Sequence, residues 1–243
     1  MEPQIQYATT ADGVNIAYYA LGEGPTVLAF GLPTTHLLAE WPSQRQAVEN
    51  AARLSRFVRF DPRGFGMSDR DVGEFTLDAM VSDVEAVVAK VGADMFMMLA
   101  GTLAVPIGFA YAARHPDRVL RIAARSGSAL GADLMNPQLL SLTRLAEQDW
   151  ELASESIAHF LLGWSEHEEA SADAALMRQA VEPATLNAYV TAVGTWDVTN
   201  LLDELKMPVL LIPGHRFAKL DVQRRMAARL ADARLVSASR GGA

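Results

Sequence analysis

The sequence predicts an α/β fold built on a mostly parallel sheet, and three observations support that prediction. Short apolar runs of strand length recur along the chain, at Val27–Phe30, Phe57–Phe60, Met95–Leu99, Val119–Ala124 and Pro208–Ile212. Between them lie stretches with the period of amphipathic helices, the pattern of strands buried on both faces by helical crossovers. The third observation is size. The chain has 243 residues, 50% hydrophobic and 21% charged, which suits one globular domain with room for an insertion.

Each element has its own signal. Residues 4–9 and 14–20 alternate apolar and polar around Ala11-Asp12-Gly13, a hairpin signature in which both turn positions favour positive φ. Val27–Phe30 closes at Gly31, a polar helix is expected over 43–54, and Phe57–Phe60 ends at Asp61-Pro62. The cleanest helix is 76–91, where Leu77, Met80, Val81, Val84, Val87, Val88 and Val91 share one face. Thr76 is its expected N-cap and Gly92 its stop. After Met95–Leu99 and a short turn, 103–114 reads as a helix ending before His115-Pro116. Val119–Ala124 is the next strand, and from 132 to 200 the pattern is helical throughout. Strand signal resumes at Pro208–Ile212, followed by a helix over Asp221–Ala231 and a last strand at 234–238. The chain is therefore expected to form a core, 1–131 and 201–243, with a helical cap, 132–200, inserted between two strands.

Composition excludes several function classes. Lys and Arg total 21 against 29 Asp and Glu, a net charge of −8, which argues against nucleic acid or an anionic membrane as partner. The absence of cysteine rules out disulfides, a thiolate nucleophile and a thiolate metal site. No apolar run reaches the ~18 residues of a membrane span, and Met-Glu-Pro-Gln has no signal-peptide character. A cytoplasmic location is expected. No histidine or carboxylate cluster has metal-ligand spacing and no glycine-rich phosphate loop follows a strand, so neither metal nor cofactor is expected.

Open parallel sheets bind ligands beyond the carboxyl ends of their strands. That singles out Gly31–His36, Asp61–Asp69, Ala100–Ala104, Arg125–Ser128 and Gly214–Asp221. Asp61-Pro62-Arg63-Gly64-Phe65-Gly66-Met67-Ser68-Asp69 resembles the D-x-R-G-x-G-x-S loop of the α/β-hydrolase superfamily. Tyr111-Ala112-Ala113-Arg114-His115-Pro116-Asp117-Arg118-Val119 is similar to the segment after the nucleophile helix in that superfamily. The strand order, the cap position and Pro208–Gly214 also fit, so the resemblance spans nearly the whole chain. More narrowly, Asp149-Trp150-Glu151-Leu152 to Leu161-Leu162-Gly163-Trp164-Ser165-Glu166 resembles the hydrolase-like domains found beside adenylate-cyclase or LuxR-type regulatory domains.

The resemblance implies an α/β-hydrolase fold and tells where a catalytic triad should stand. Counting back from Tyr111, the G-x-S-x-G elbow falls on Ala100-Gly101-Thr102-Leu103-Ala104, so Thr102 takes the nucleophile position and both framing glycines are alanine. A β-branched residue is strained in a positive-φ elbow, and relaxation of the turn would relieve that strain. Pro106 falls in the first helical turn, where its missing N–H costs little. The position of the triad acid falls on Phe217 and that of the histidine on Gly241-Gly242-Ala243. Asp221 is more readily the N-cap of the next helix, and Asp133 is another candidate acid. The substitute bases are His36 and His215, although the strand before His215 is expected two away from the elbow strand, about 10 Å. His115, His159 and His167 read as structural or solvated side chains, and Glu166–Glu169 as a solvated helix face. Asp61 and Arg63 are expected to brace their own loop.

The oxyanion hole needs only backbone N–H groups, and the resemblance assigns them to Leu103 and Leu32, with Gly31 permitting close approach. Trp41, Trp150, Trp164, Trp196, Met135, Phe160 and Met177 are candidates to line an apolar pocket under the cap, with plain packing the alternative for each. Three functions remain open. One is a pseudo-hydrolase or sensory domain that binds a small apolar ester-, lactone- or acyl-like molecule without turnover. Another is a hydrolase using Thr102, or a water activated by His36 or His215. The third is a scaffold with no ligand. Only a few residues follow the last strand, so an exposed apolar strip is expected, together with a homodimer or a longer chain to cover it.

Overall fold

The computed structural model describes residues 2–31, 34–214 and 220–236. Eight strands form one sheet: Gln6–Thr9 (β1), Asn15–Leu21 (β2), Thr26–Phe30 (β3), Arg56–Phe60 (β4), Phe96–Gly101 (β5), Val119–Arg125 (β6), Val209–Ile212 (β7) and Ala233–Leu235 (β8). Their order is β1-β2-β4-β3-β5-β6-β7-β8, with β2 antiparallel to β1 and β4 and all later pairings parallel. This is the α/β-hydrolase fold expected from the sequence.

The opening hairpin forms with a different turn from the one anticipated. Residues 10–14 make the connection, and only Gly13 has positive φ, at 89°. Asp12 is held instead by its side chain, which accepts from Thr10 Oγ1 at 2.5 Å and from Arg63. Side-chain hydrogen bonding has replaced the two-residue turn.

The helices are Trp41–Ala52 (α1), Leu77–Val91 (α2), Val105–Arg114 (α3), Pro137–Leu145 (α4), Trp150–Leu162 (α5), His167–Ala180 (α6), Pro183–Thr195 (α7) and Leu220–Ala227 (α8). In α2, the Thr76 hydroxyl accepts from the Ala79 amide and Gly92, at φ 69°, turns the chain away. Its apolar face packs with α3, α8 and one face of the sheet in a continuous core. The other face is covered by α1 only over β2, β3 and β4, through Tyr19, Ala29, Trp41, Val48 and Phe57. On that side, Met97, Leu210 and Ile212 of β5 and β7 face outward half-buried, and Leu99 of β5 is exposed. Met95, just before β5, is 57% exposed.

Helices α4–α7 leave and rejoin the sheet through one narrow base. Leu130 bridges Asp197, and the Gly131 amide donates to the Trp196 carbonyl at 2.8 Å. Two details near the end differ from expectation. Asp221 is the second residue of α8 and pairs with Arg225 one turn on, so it is not the N-cap. The last strand is Ala233–Leu235, and residues 237 and 238 lie outside the described residues.

Candidate active site

The site begins where β5 ends. Thr102 follows Gly101 directly, and a single 3-10 turn, Thr102–Ala104, leads into α3 with Pro106 in the first helical turn. Thr102 has φ 42°, so the elbow has kept its left-handed residue despite the β-branch. The frame makes room for this at Gly127. Gly127, after β6, lies so close that a Cβ there would stand 2.7 Å from the Thr102 carbonyl oxygen. A Cβ on Gly101 would stand 3.5 Å from the Gly31 Cα, so the loops after β3 and β5 meet backbone to backbone.

Thr102 is 6% exposed and its side chain borders a narrow cavity of about 30 Å³. Thr34 and Leu103 complete the floor. The roof comes from Leu139 and Thr143 of α4, Ile157 and Leu161 of α5, Met177 of α6, and Leu186 and Val190 of α7. Among the described residues the polar side chains of the lining are three threonines, and one of these, Thr143, already donates its hydroxyl to the Leu140 carbonyl. No titratable side chain lines the cavity among the described residues. The Leu103 amide opens the first helical turn, where backbone donors lack intrahelical partners.

The loop Asp61–Asp69 bolts these parts together. The buried Asp61 carboxylate accepts from Thr35 Oγ1 at 2.6 Å and from the Leu37 and Met67 amides, joining the loops after β3 and β4. Burial pushes its carboxyl above the ordinary range, against the pull of those three bonds. Arg63 donates to Asp83 and Asp12, fixing the loop to α2 and the hairpin. Gly66 donates its amide to the Ala180 carbonyl at 2.7 Å, which ties the end of α6 to the same loop. The bracing role expected of Asp61 and Arg63 is therefore present, and it extends to the inserted helices.

The candidate residues fare differently. Thr102, Leu103 and Gly31 come together at the elbow. Leu32 and His215 lie outside the described residues, as do Phe217 and the 241–243 position of the triad histidine. His36 lies elsewhere: its Nδ1 accepts from the Ala39 amide at 3.3 Å, within the turn that precedes α1, and its ring does not line the cavity. Trp164 also lies apart from the cavity. It follows Gly163, whose φ of 122° turns the chain out of α5, and it is 75% exposed, stacked on His159. Of the anticipated pocket aromatics and methionines only Met177 borders the cavity; Trp41 and Trp196 pack in the cores on Tyr19 and Tyr189. Asp133 accepts from Ser128 and pairs with Arg225, so it braces α8. The threonine and aliphatic lining was missed. Helical periodicity marks the apolar faces of α4–α7, but only their packing shows which face meets the elbow.

Known proteins match this arrangement. Residues 27–166 fit the profile of the family described as alpha/beta hydrolase fold. One curated relative is AB hydrolase superfamily protein YisY of Bacillus subtilis (strain 168), 30% identical over 110 residues. That match spans 45% of this chain and 40% of the relative, so less than half of its length is covered. A hydrolase from Pseudomonas aeruginosa PA01 superposes with a TM-score of 0.81 at 23% identity, over 96% of this chain and 89% of that one. The enol-lactonase from Burkholderia xenovorans LB400 gives 0.80 at 22% identity, over 95% and 90%. An esterase (EaEST) from Exiguobacterium antarcticum gives 0.82 at 16%, over 95% and 89%. At such identities the likeness is one of fold.

Proposed function

The chain belongs to the α/β-hydrolase family, and from that premise we propose that it binds a small neutral ester-, lactone- or acyl-like molecule under α4–α7 without efficient turnover. The observation that carries this is the cavity lining. Its floor offers the Thr102 hydroxyl and the amide of Leu103, which suit a carbonyl oxygen, and its walls are aliphatic. Among the described residues no lining group can take the proton of that hydroxyl. Without an adjacent base a hydroxyl stays protonated at neutral pH and attacks poorly. Binding and the oxyanion donors alone leave ~10³–10⁴-fold acceleration over water. A sensory role beside adenylate-cyclase or LuxR-type regulatory domains is the narrower form of this proposal, supported by the Asp149–Glu166 stretch.

A second function is favoured by one specific feature. Thr102 keeps φ 42°, the strained geometry that presents a nucleophile, and strain of this kind persists where the surroundings enforce it. On that basis the chain would be an ester or lactone hydrolase with Thr102 as nucleophile. Hydrolysis of p-nitrophenyl esters from acetate to octanoate by the protein and its Thr102→Ala variant separates the two. Saturable binding with no turnover, or with turnover unchanged in the variant, supports the binding function. Turnover abolished by Thr102→Ala makes the protein a hydrolase.

A further inference from the structure

The corner between α5 and α6 holds two histidines that play no part in the cavity. His167 Nδ1 faces His159 Nε2 at 3.4 Å, and the two rings lie 10° from parallel with centroids 5.4 Å apart. On its other side, His159 Nδ1 faces the Gly163 carbonyl oxygen at 3.4 Å. A carbonyl only accepts, so that contact favours a proton on Nδ1 and a lone pair on the Nε2 that faces His167. A backbone carbonyl behind a histidine is the usual support for a metal-ligating imidazole.

The distance between the facing nitrogens, at the long end of hydrogen-bond range, is also the one that a shared ion would set. Two imidazoles at the Zn–N distance on one tetrahedral ion place their nitrogens about 3.3 Å apart. Trp164 lies over His159 with a centroid separation of 4.8 Å and planes 4° apart. An indole face stabilises a ring made electron-poor by a bound cation. His159 is buried and held on both sides, whereas His167 is exposed and leaves solvent access to the pair. No group of three or more histidine or carboxylate ligands exists among the described residues, so water must fill the other positions.

We propose that His159 Nε2 and His167 Nδ1 form a binding site for a divalent transition-metal ion such as Zn²⁺ or Cu²⁺. The ion would join the end of α5 to the start of α6. These helices carry Ile157, Leu161 and Met177 into the cavity roof, so the ion braces the roof from outside.

Calorimetric titration of the whole protein with ZnCl₂ tests the site, alongside His167→Ala, which replaces an exposed side chain. The expected result is one Zn²⁺ per chain, bound at least tenfold more weakly by His167→Ala. CuCl₂ is expected to quench Trp164 emission in the protein, with the quenching lost in both His167→Ala and Trp164→Phe. Trp164→Phe is expected to retain Zn²⁺ binding. Zn²⁺ affinity unchanged in His167→Ala, or no binding by the unaltered protein, would overturn the assignment.

Discussion

A Cβ built on Gly108 of α3 would stand 3.2 Å from the Cβ of Ala100 on β5. The elbow frame has an alanine at position 100, and the helix behind it supplies the missing room by having no side chain at 108. An alanine in a helix interior normally improves on glycine by about 1 kcal/mol. Here Gly108→Ala is expected to be neutral or destabilising, because Ala100 is fixed in a strand and cannot yield. Joined to Ala100→Gly, the same change should recover its helix-propensity gain. A denaturation cycle should show coupling of at least about 0.5 kcal/mol, and simple additivity would refute the pairing.

Gly66 and Gly92 both have positive φ, yet their surroundings differ. At Gly66 a Cβ would lie 2.1 Å from Asp61 Oδ2 and 2.8 Å from the Thr35 carbonyl; at Gly92 nothing lies within 4 Å. Gly92→Ala should therefore cost only the left-handed backbone penalty, about 1–2 kcal/mol. Gly66→Ala should cost roughly 4 kcal/mol or more, since it breaks the carboxylate hub as well. Urea midpoints of the two variants compare them directly. Equal losses would mean that the loop is not the bolt described above.

Burial pushes the Asp83 carboxyl up to about 6, although Arg63 pulls the other way. The native protein then keeps a proton that the unfolded chain releases between about pH 4 and 6. A state that binds more protons is favoured by acid, so this group makes stability fall as pH rises through that window. Asp61 shifts in the same direction. Asp12, held below the usual carboxylate range by Arg63, acts oppositely and only in more acid solution. Thermal midpoints should decline from pH 4 to 6 and then level off, and Asp83→Asn should flatten the decline. A rise over this window in the unaltered protein would contradict the assignment.

Nothing that titrates borders the cavity among the described residues. Affinity for a neutral short-chain ester or lactone should therefore change less than about twofold between pH 5 and 8, the range in which a histidine would respond. Val190→Trp should fill the space between α7 and the elbow and abolish binding while the fold survives. A binding curve with an inflection near ~6.5 would place a histidine in the site.

Much of the fold was legible because its signals are local. The face of α2, its Thr76 cap and its Gly92 stop all lie within one helix and form as expected. The elbow could be located by counting, since strand, turn and helix follow one another without interruption. What escaped the sequence depends on distant contacts. Asp12 is fixed by Arg63, 51 residues away, and that contact changes the hairpin turn. Trp164 looked like a pocket residue because it is large and apolar, but its direction is set by the backbone of Gly163. His36 follows a strand on the side expected for the site, yet its ring closes a turn with Ala39. Side-chain direction, more than residue type, decides which candidates reach the cavity.

The outward face of the sheet also bears on how the protein meets oxidants. The chain has ten methionines and no cysteine, so thioether sulfur is its main site of oxidation. Met95, beside that face, is 57% exposed, whereas Met80, Met98, Met177, Met207 and Met226 are buried. A sulfoxide at Met95 keeps its new oxygen in water and leaves the interior unaltered. The same oxygen on Met177 would turn the aliphatic roof polar. Met95 is therefore expected to be oxidised ahead of the buried Met177 that borders the cavity, which peptide mass mapping after mild peroxide treatment checks.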